Sequence, residues 1–96
     1  MNTIKFSKEI VPNEIIDVSN SEVVRIQIKE IEGSLKIKAR INPEIDFTDI
    51  KIIEDSTYDF IDEITAIGFY TLDTMGYNSI MINCDKNIKG FINGAN

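Results

Sequence analysis

The chain is expected to be all-β, a compact antiparallel β-sandwich of jelly-roll or immunoglobulin-like type with seven to eight short strands. Three observations lead there. Twenty of the 96 residues are Ile and four are Val, against two Leu and three Ala. Branching at Cβ restricts χ1 in a helix and suits a pleated sheet, so this inventory favours strands. The apolar residues recur at every second position, the period of a half-buried strand. Gly, Pro and Asn-rich breaks punctuate the runs at short intervals.

The elements follow in order. Thr3 to Ile10 forms the first run, and Pro12-Asn13 separates it from Glu14 to Val18. The clearest strand is Val24 to Ile28, with Val24, Ile26 and Ile28 on one face and Arg25, Gln27 and Lys29 near the other. Gly33-Ser34 turns the chain into Leu35, Ile37, Ala39 and Ile41, which alternate with Lys36, Lys38 and Arg40. Asn42-Pro43 ends that strand, because proline cannot donate to a ladder. Further runs occupy Ile45 to Ile53, Ile64 to Leu72, Ser79 to Cys84 and Ile88 to Ile92. Between Ser56 and Gly68, Phe60, Ile64 and Ile67 recur at i, i+4 and i+7, with Ser56 and Gly68 as caps. A short helical turn over 57–67 therefore competes with a loop leading to a strand near Ile64. The 96 residues make one domain, with 1–12 as an N-terminal arm suited to pairing with a neighbouring subunit and 93–96 as a frayed tail.

The chain also repeats internally. Ile16 to Ile28 lies over Leu72 to Cys84 at a constant offset of 56. Asp17 meets Asp73, Asn20 meets Gly76, and Val24, Ile26 and Ile28 meet Ile80, Ile82 and Cys84. Each copy reads as a strand ending in Asp, a turn, and an alternating strand. Asp accepts backbone N–H bonds in such a turn, and Asn or Gly tolerates positive φ there. Two structurally similar halves are expected.

Composition narrows the function. The net charge is −6, and there is no His, no Trp and a single Cys, Cys84. A disulfide framework, a Cys/His zinc site, a Ser-His-Asp triad and a Cys-His dyad are excluded. An acidic chain without aromatic-basic interleaving is a poor ligand for nucleic acid. The first ten residues hold Lys5, Lys8 and Glu9 and lead into no apolar core, so no secretory leader is expected. No apolar run approaches the length of a membrane span. Cys84 shares parity with Ile80 and Ile82 and reads as a buried small hydrophobe.

Two charged features stand out. From Asn42 to Glu63 eight carboxylates face one cation, Lys51. A solvated acidic face accounts for this best. Docking to a basic surface, Ca²⁺ binding and paired-carboxylate catalysis are the competing uses, and the spacing matches no known calcium loop. The hairpin presents Arg25, Lys29, Lys36, Lys38 and Arg40. Acidic segment and basic hairpin in one chain allow copies to pack into a homo-oligomer.

Gly68, Tyr70, Asp73, Gly76 and Tyr77 form the run Gly-x-Tyr-x-x-Asp-x-x-Gly-Tyr, followed by the alternating Ile80, Ile82 and Cys84. With Asp46 to Ile50 upstream, this pattern resembles small β-sandwich domains of tailed-phage virion proteins, over roughly Ile15 to Ile92. Met81 stands where those domains carry Arg, and Asp85-Lys86-Asn87 replaces their Gly/Ser/Thr-rich turn. The resemblance implies a non-enzymatic structural protein, located in the virion after synthesis in the host cytoplasm. It implies attachment to the major capsid protein or another virion protein, with head decoration first and a tail or baseplate role second. No cofactor or metal is expected. Ile4, Phe6, Asp46 and Asp49 are the expected contact residues. Rival classes are a carbohydrate-binding adhesion module using Tyr58, Phe69, Tyr70 and Tyr77, and an acidic anti-defence inhibitor.

Overall fold

The computed structural model describes residues 3–96, and all its regular structure is β. The strands are β1 (Ile4–Glu9), β2 (Ile15–Asp17), β3 (Val23–Ile31), β4 (Lys36–Arg40), β5 (Thr48–Asp49), β6 (Ile52–Glu54), β7 (Asp59–Ile61), β8 (Gly68–Asp73), β9 (Ser79–Asn83) and β10 (Ile88–Ala95). They form two antiparallel sheets, β1-β10-β3-β8-β6-β7 and β2-β9-β4-β5.

The pairings β1·β10, β2·β9, β3·β8 and β4·β5 are nested, as in one long hairpin folded at its middle. Two lateral joins, β10·β3 and β4·β9, wind that hairpin into a sandwich. Eight strands joined this way make a jelly roll. The short hairpin β6–β7 is an addition, laid against β8.

The internal repeat is real and in register. Ile15, Ile16 and Asp17 pair with Met81, Ile80 and Ser79. Fifty-six residues on, Thr71, Leu72 and Asp73 pair with Arg25, Val24 and Val23. The two copies exchange partners, so β2 lies on the second copy's β9 and β8 on the first copy's β3. Even the turns reciprocate. The Val18 amide donates to the Asn78 carbonyl (3.0 Å) and the Thr74 amide to the Glu22 carbonyl (3.0 Å). Asp17 accepts from the Ser19 amide at 2.8 Å, as Asp73 does from the Met75 amide at 3.1 Å. In the last strand the offset becomes 55, because the β9–β10 turn is one residue shorter: Ile37 pairs with Ile82, and Ile92 with Ile26.

The core lies between the sheets and draws equally on both copies. Val24, Ile26, Ile28 and Ile37 are buried, and so are Ile80, Ile82, Cys84 and Ile92. Leu35, Ile52, Ile64, Tyr70 and Leu72 complete it. Each fully buried aliphatic side chain contributes about 1.5–3 kcal/mol of transfer free energy.

The alternative left open for 56–68 is decided for the loop, and three expectations are corrected. The 56–68 segment contains no helix. Its residues do not share a face: Ile64 is buried, whereas Phe60 and Ile67 are exposed. A turn with Tyr58 at φ 60° leads into β7, and Ile64 exchanges backbone hydrogen bonds with Leu35 at 2.9 and 3.0 Å. Sheet pairing supplied from β6 and Leu35 overrides a marginal helical pattern. Residues 93–95, expected as a frayed tail, complete β10 between β1 and β3. A Cβ at Gly94 would collide with the Phe6 ring, so glycine is needed for the strand to pass beneath it. Within the expected arm, residues 1 and 2 lie outside the described residues, and Ile4–Glu9 pairs with β10 of its own chain. The strand count rises from eight to ten because β6 and β7 are separate short strands.

Candidate interaction surface

The repeat gives the two sheets equivalent backbones in their central strands, which makes their outer faces directly comparable. On the four-stranded sheet, Lys36 pairs with Asn83 in register and Lys38 with Met81. Lys38 reaches Asp49 on β5 at 3.0 Å, and Lys36 lies 3.8 Å from the same carboxylate. The hydrogen bond from Lys38 holds the Asp49 carboxyl below the usual carboxylate range. Asn13, at φ 64°, accepts from the Asn83 amide and donates to the Cys84 carbonyl at 2.9 Å, which fastens the Pro12 turn to β9. The row of Asn13, Asn83 and Lys36 is polar and internally paired, while the next row carries Ile15 and Met81 beside Lys38.

The six-stranded sheet is different. Phe91 of β10 is opposite Gln27 of β3, and Gln27 is opposite Phe69 of β8. The three lie in one row, on the solvent side, because their strand neighbours Ile26, Ile28, Tyr70 and Ile92 point inward. Phe69 is 55% exposed and Phe91 43%. They flank a shallow depression of about 250 Å³ that Arg25 and Asn93 also line. Beside it, a cleft of about 520 Å³ runs between Phe69, Ile67 and the Asp55-Ser56 turn. Asp55 is held there by Arg25 at 2.7 Å and by the Thr71 hydroxyl at 2.7 Å. Tyr70 donates its hydroxyl to the Ala66 carbonyl at 2.8 Å, and burial, with the Glu54 charge adding to it, pushes its phenol above the ordinary value. Farther along the sheet, Phe60 of β7 is 70% exposed.

The expected contact residues are not brought together. Ile4 is exposed on edge strand β1, and Phe6, two residues on, is half-buried over Gly94. Asp46 is exposed in the loop after β4, beside the exposed Ile41 and Ile45. Asp49 sits on β5, committed to Lys38 and Lys36. The acidic segment is thus partly neutralised inside the chain: Asp49 by the hairpin lysines, Asp55 by Arg25, and Asp62 by Lys51. Arg40 lies over the Phe47 ring, 4.3 Å from its centroid. Among the described residues no three His, Cys, Asp or Glu side chains converge in a set fit to hold a metal. The row Phe69–Gln27–Phe91 was the feature that sequence reading missed. Its signal is parity: Phe91 occupies an outward position between Lys89 and Asn93, where a polar residue belongs.

No family model matches the chain, and no curated protein matches it by sequence. A solved structure does share the fold. The crystal structure of the SPBc2 prophage-derived protein YomS superposes with a TM-score of 0.77, over 100% of this chain and 96% of that one, at 10% sequence identity. The whole jelly roll, with its added hairpin, is therefore an architecture that also occurs in a protein of prophage origin.

Proposed function

We propose that the chain is a non-enzymatic structural component of a phage particle, most simply a decoration protein bound in many copies to the outer head lattice. The observation that carries this reading is the end-to-end fold match to a prophage-derived protein. It agrees with the virion-like run from Gly68 to Tyr77, and jelly rolls recur as viral capsid modules. Side-chain chemistry supports binding rather than catalysis. The ionisable inventory is carboxylates, Lys, Arg, Tyr and one buried Cys that donates its thiol to the Lys86 carbonyl.

The loop bearing Asp46 is the proposed contact with the particle. Ile41 is 66% exposed and Ile45 51%, so two apolar side chains share the loop with a carboxylate that has no ion pair among the described residues, at one edge of the four-stranded sheet. Apolar anchors with a polar rim suit a small interface, and repetition over a lattice multiplies its strength.

Mass spectrometry of washed particles of the encoding phage, with copy number set against the major capsid protein, tests the reading. Hundreds of copies per particle are expected for decoration. A few copies would move the chain to the tail or baseplate. Absence from the particles would overturn the structural role.

A further inference from the structure

We infer that the outer face of the six-stranded sheet is a self-association surface, on which a second copy of this chain seats through Phe69, Gln27 and Phe91. The first argument is the contrast between equivalent positions. Gln27 corresponds to Asn83 and Phe91 to Lys36, through the two registers Phe91↔Gln27 and Lys36↔Asn83. Phe69 falls on Asn13 in the 56-residue offset, but Asn13 lies in a turn at φ 64°, so the comparison rests on the two paired positions. There the backbone is the same, and one sheet carries Lys36 and Asn83 where the other carries Phe91 and Gln27. The fold therefore has no need of Phe on the other, and exposed phenyl rings there are explained by something that covers them.

The second argument is symmetry. A closed two-copy interface must be complementary to itself. The row is arranged that way, with Gln27 at its centre and a phenyl ring one strand to each side. Strands lie about 4.8 Å apart, so the rings stand about 10 Å apart across β3. Any two-fold axis lying in the plane of the face and passing through Gln27, along the strand or along the row, sets ring against ring and Gln27 against Gln27. A carboxamide carries both donor and acceptor, so two facing glutamines form a reciprocal pair of hydrogen bonds. Offset or edge-to-face phenyl pairs add about 0.5–1.5 kcal/mol each beyond their buried area. Asn93 lines the same depression.

The third argument is area. The molecule measures 32 × 30 × 24 Å. Six strands make a face about 24 Å wide, and a patch on the order of 600 Å² per copy buries about 1,200 Å² in the pair, the lower end of the specific class. Charges of both signs border the row: Arg25 pairs with Asp55 at one end, and Glu9, in register with Phe91, lies with Lys29 at the other.

This inference is independent of a place in the virion, because the Asp46 loop lies at an edge of the other sheet. Sedimentation equilibrium on the full chain across the micromolar range tests it. A reversible dimer of the 10.9 kDa chain is expected. Gln27→Glu places two like charges face to face and is expected to weaken the dimer about tenfold or more. Asn83→Glu, the equivalent exposed position on the other sheet, is expected to change the dimer constant less than about twofold. Phe91→Thr provides a second disruption that keeps strand propensity. A monomeric wild type overturns the inference, as does a dimer that survives both Gln27→Glu and Phe91→Thr, or one broken equally by Asn83→Glu. A monomer that instead binds a polysaccharide, with binding lost in Phe91→Thr, overturns it and gives the face to a sugar.

Discussion

The stretches 15–40 and 71–95 trace the same path, and they agree in their inward residues and turn aspartates but not in their outward strand residues. Val24 and Ile80, Ile26 and Ile82, and Ile37 and Ile92 fill matching places in one core. Outward, Phe91 stands where the other half has Lys36. The difference separates two kinds of selection on one backbone. Interior positions must fill a shared volume at near-crystalline density, so their chemistry converges. Exterior positions answer to whatever lies outside, so their chemistry is free to diverge.

The strongest way to break this comparison is in the core. Ile26→Ala and Ile82→Ala should each cost about 2–5 kcal/mol, since both side chains are buried and surrounded. Urea unfolding followed by circular dichroism would measure both. A loss at only one site would deny the equivalence of the halves.

A smaller effect sharpens the comparison where it is imperfect. Gly94 corresponds to Ala39, but the Phe6 ring crosses Gly94 and leaves no room for a methyl group. Gly94→Ala should cost about 1–3 kcal/mol by overpacking. Ala39→Gly should cost less, about 0.5–1 kcal/mol, through chain entropy and lost burial. Equal losses in thermal melts would show that β1 does not bear on β10 as described.

The third effect distinguishes the faces by pH. The Ser19 hydroxyl and amide bonded to Asp17, and Lys38 bonded to Asp49, hold both carboxyls below their ordinary range. The unfolded value is about 3.9, so their contributions are complete above that pH and disappear as the pH falls through the lower folded values. Asp49→Asn should therefore lower stability near neutrality and converge on the wild type in strong acid. Both carboxylates are exposed, so the difference will be small and will shrink with salt. Melts from pH 7 to about pH 2 would trace it.

The smallest expected effect lies on the aromatic row. Phe69→Thr with Phe91→Thr should leave the stability of the isolated monomer within about 0.5 kcal/mol per site, because these rings do not belong to the core. Dilute-solution melting checks this. A collapse of the fold would mean that the rings serve packing rather than contact.

Much of the architecture was legible in the chain itself. Alternation of Val24, Ile26 and Ile28 with Arg25, Gln27 and Lys29 fixes which face of β3 is buried, since strand side chains point to opposite sides in turn. The 56-residue offset foretold two equivalent halves, because a local pattern of Asp, turn and alternating strand specifies the same local path twice. Local pattern could not say that β2 joins the second copy's β9 rather than its own neighbour, since that choice depends on which buried faces meet across the core. Nor could it foresee that Ile64 pairs with Leu35, which turns an apparent helix into a bridged loop. The tail was misread for the same reason. Asn93-Gly94-Ala95 has no apolar anchor of its own, and its order comes from backbone hydrogen bonds to β1 and β3 on either side. Sequence determined the period, the parity and the repeat, which are properties of neighbouring residues. Tertiary structure decided which strands pair, which carboxylates are neutralised by distant lysines, and that Phe69 and Phe91, 22 residues apart, stand on either side of Gln27. Those are contacts across long chain separations, and only the winding of the sheet brings them together.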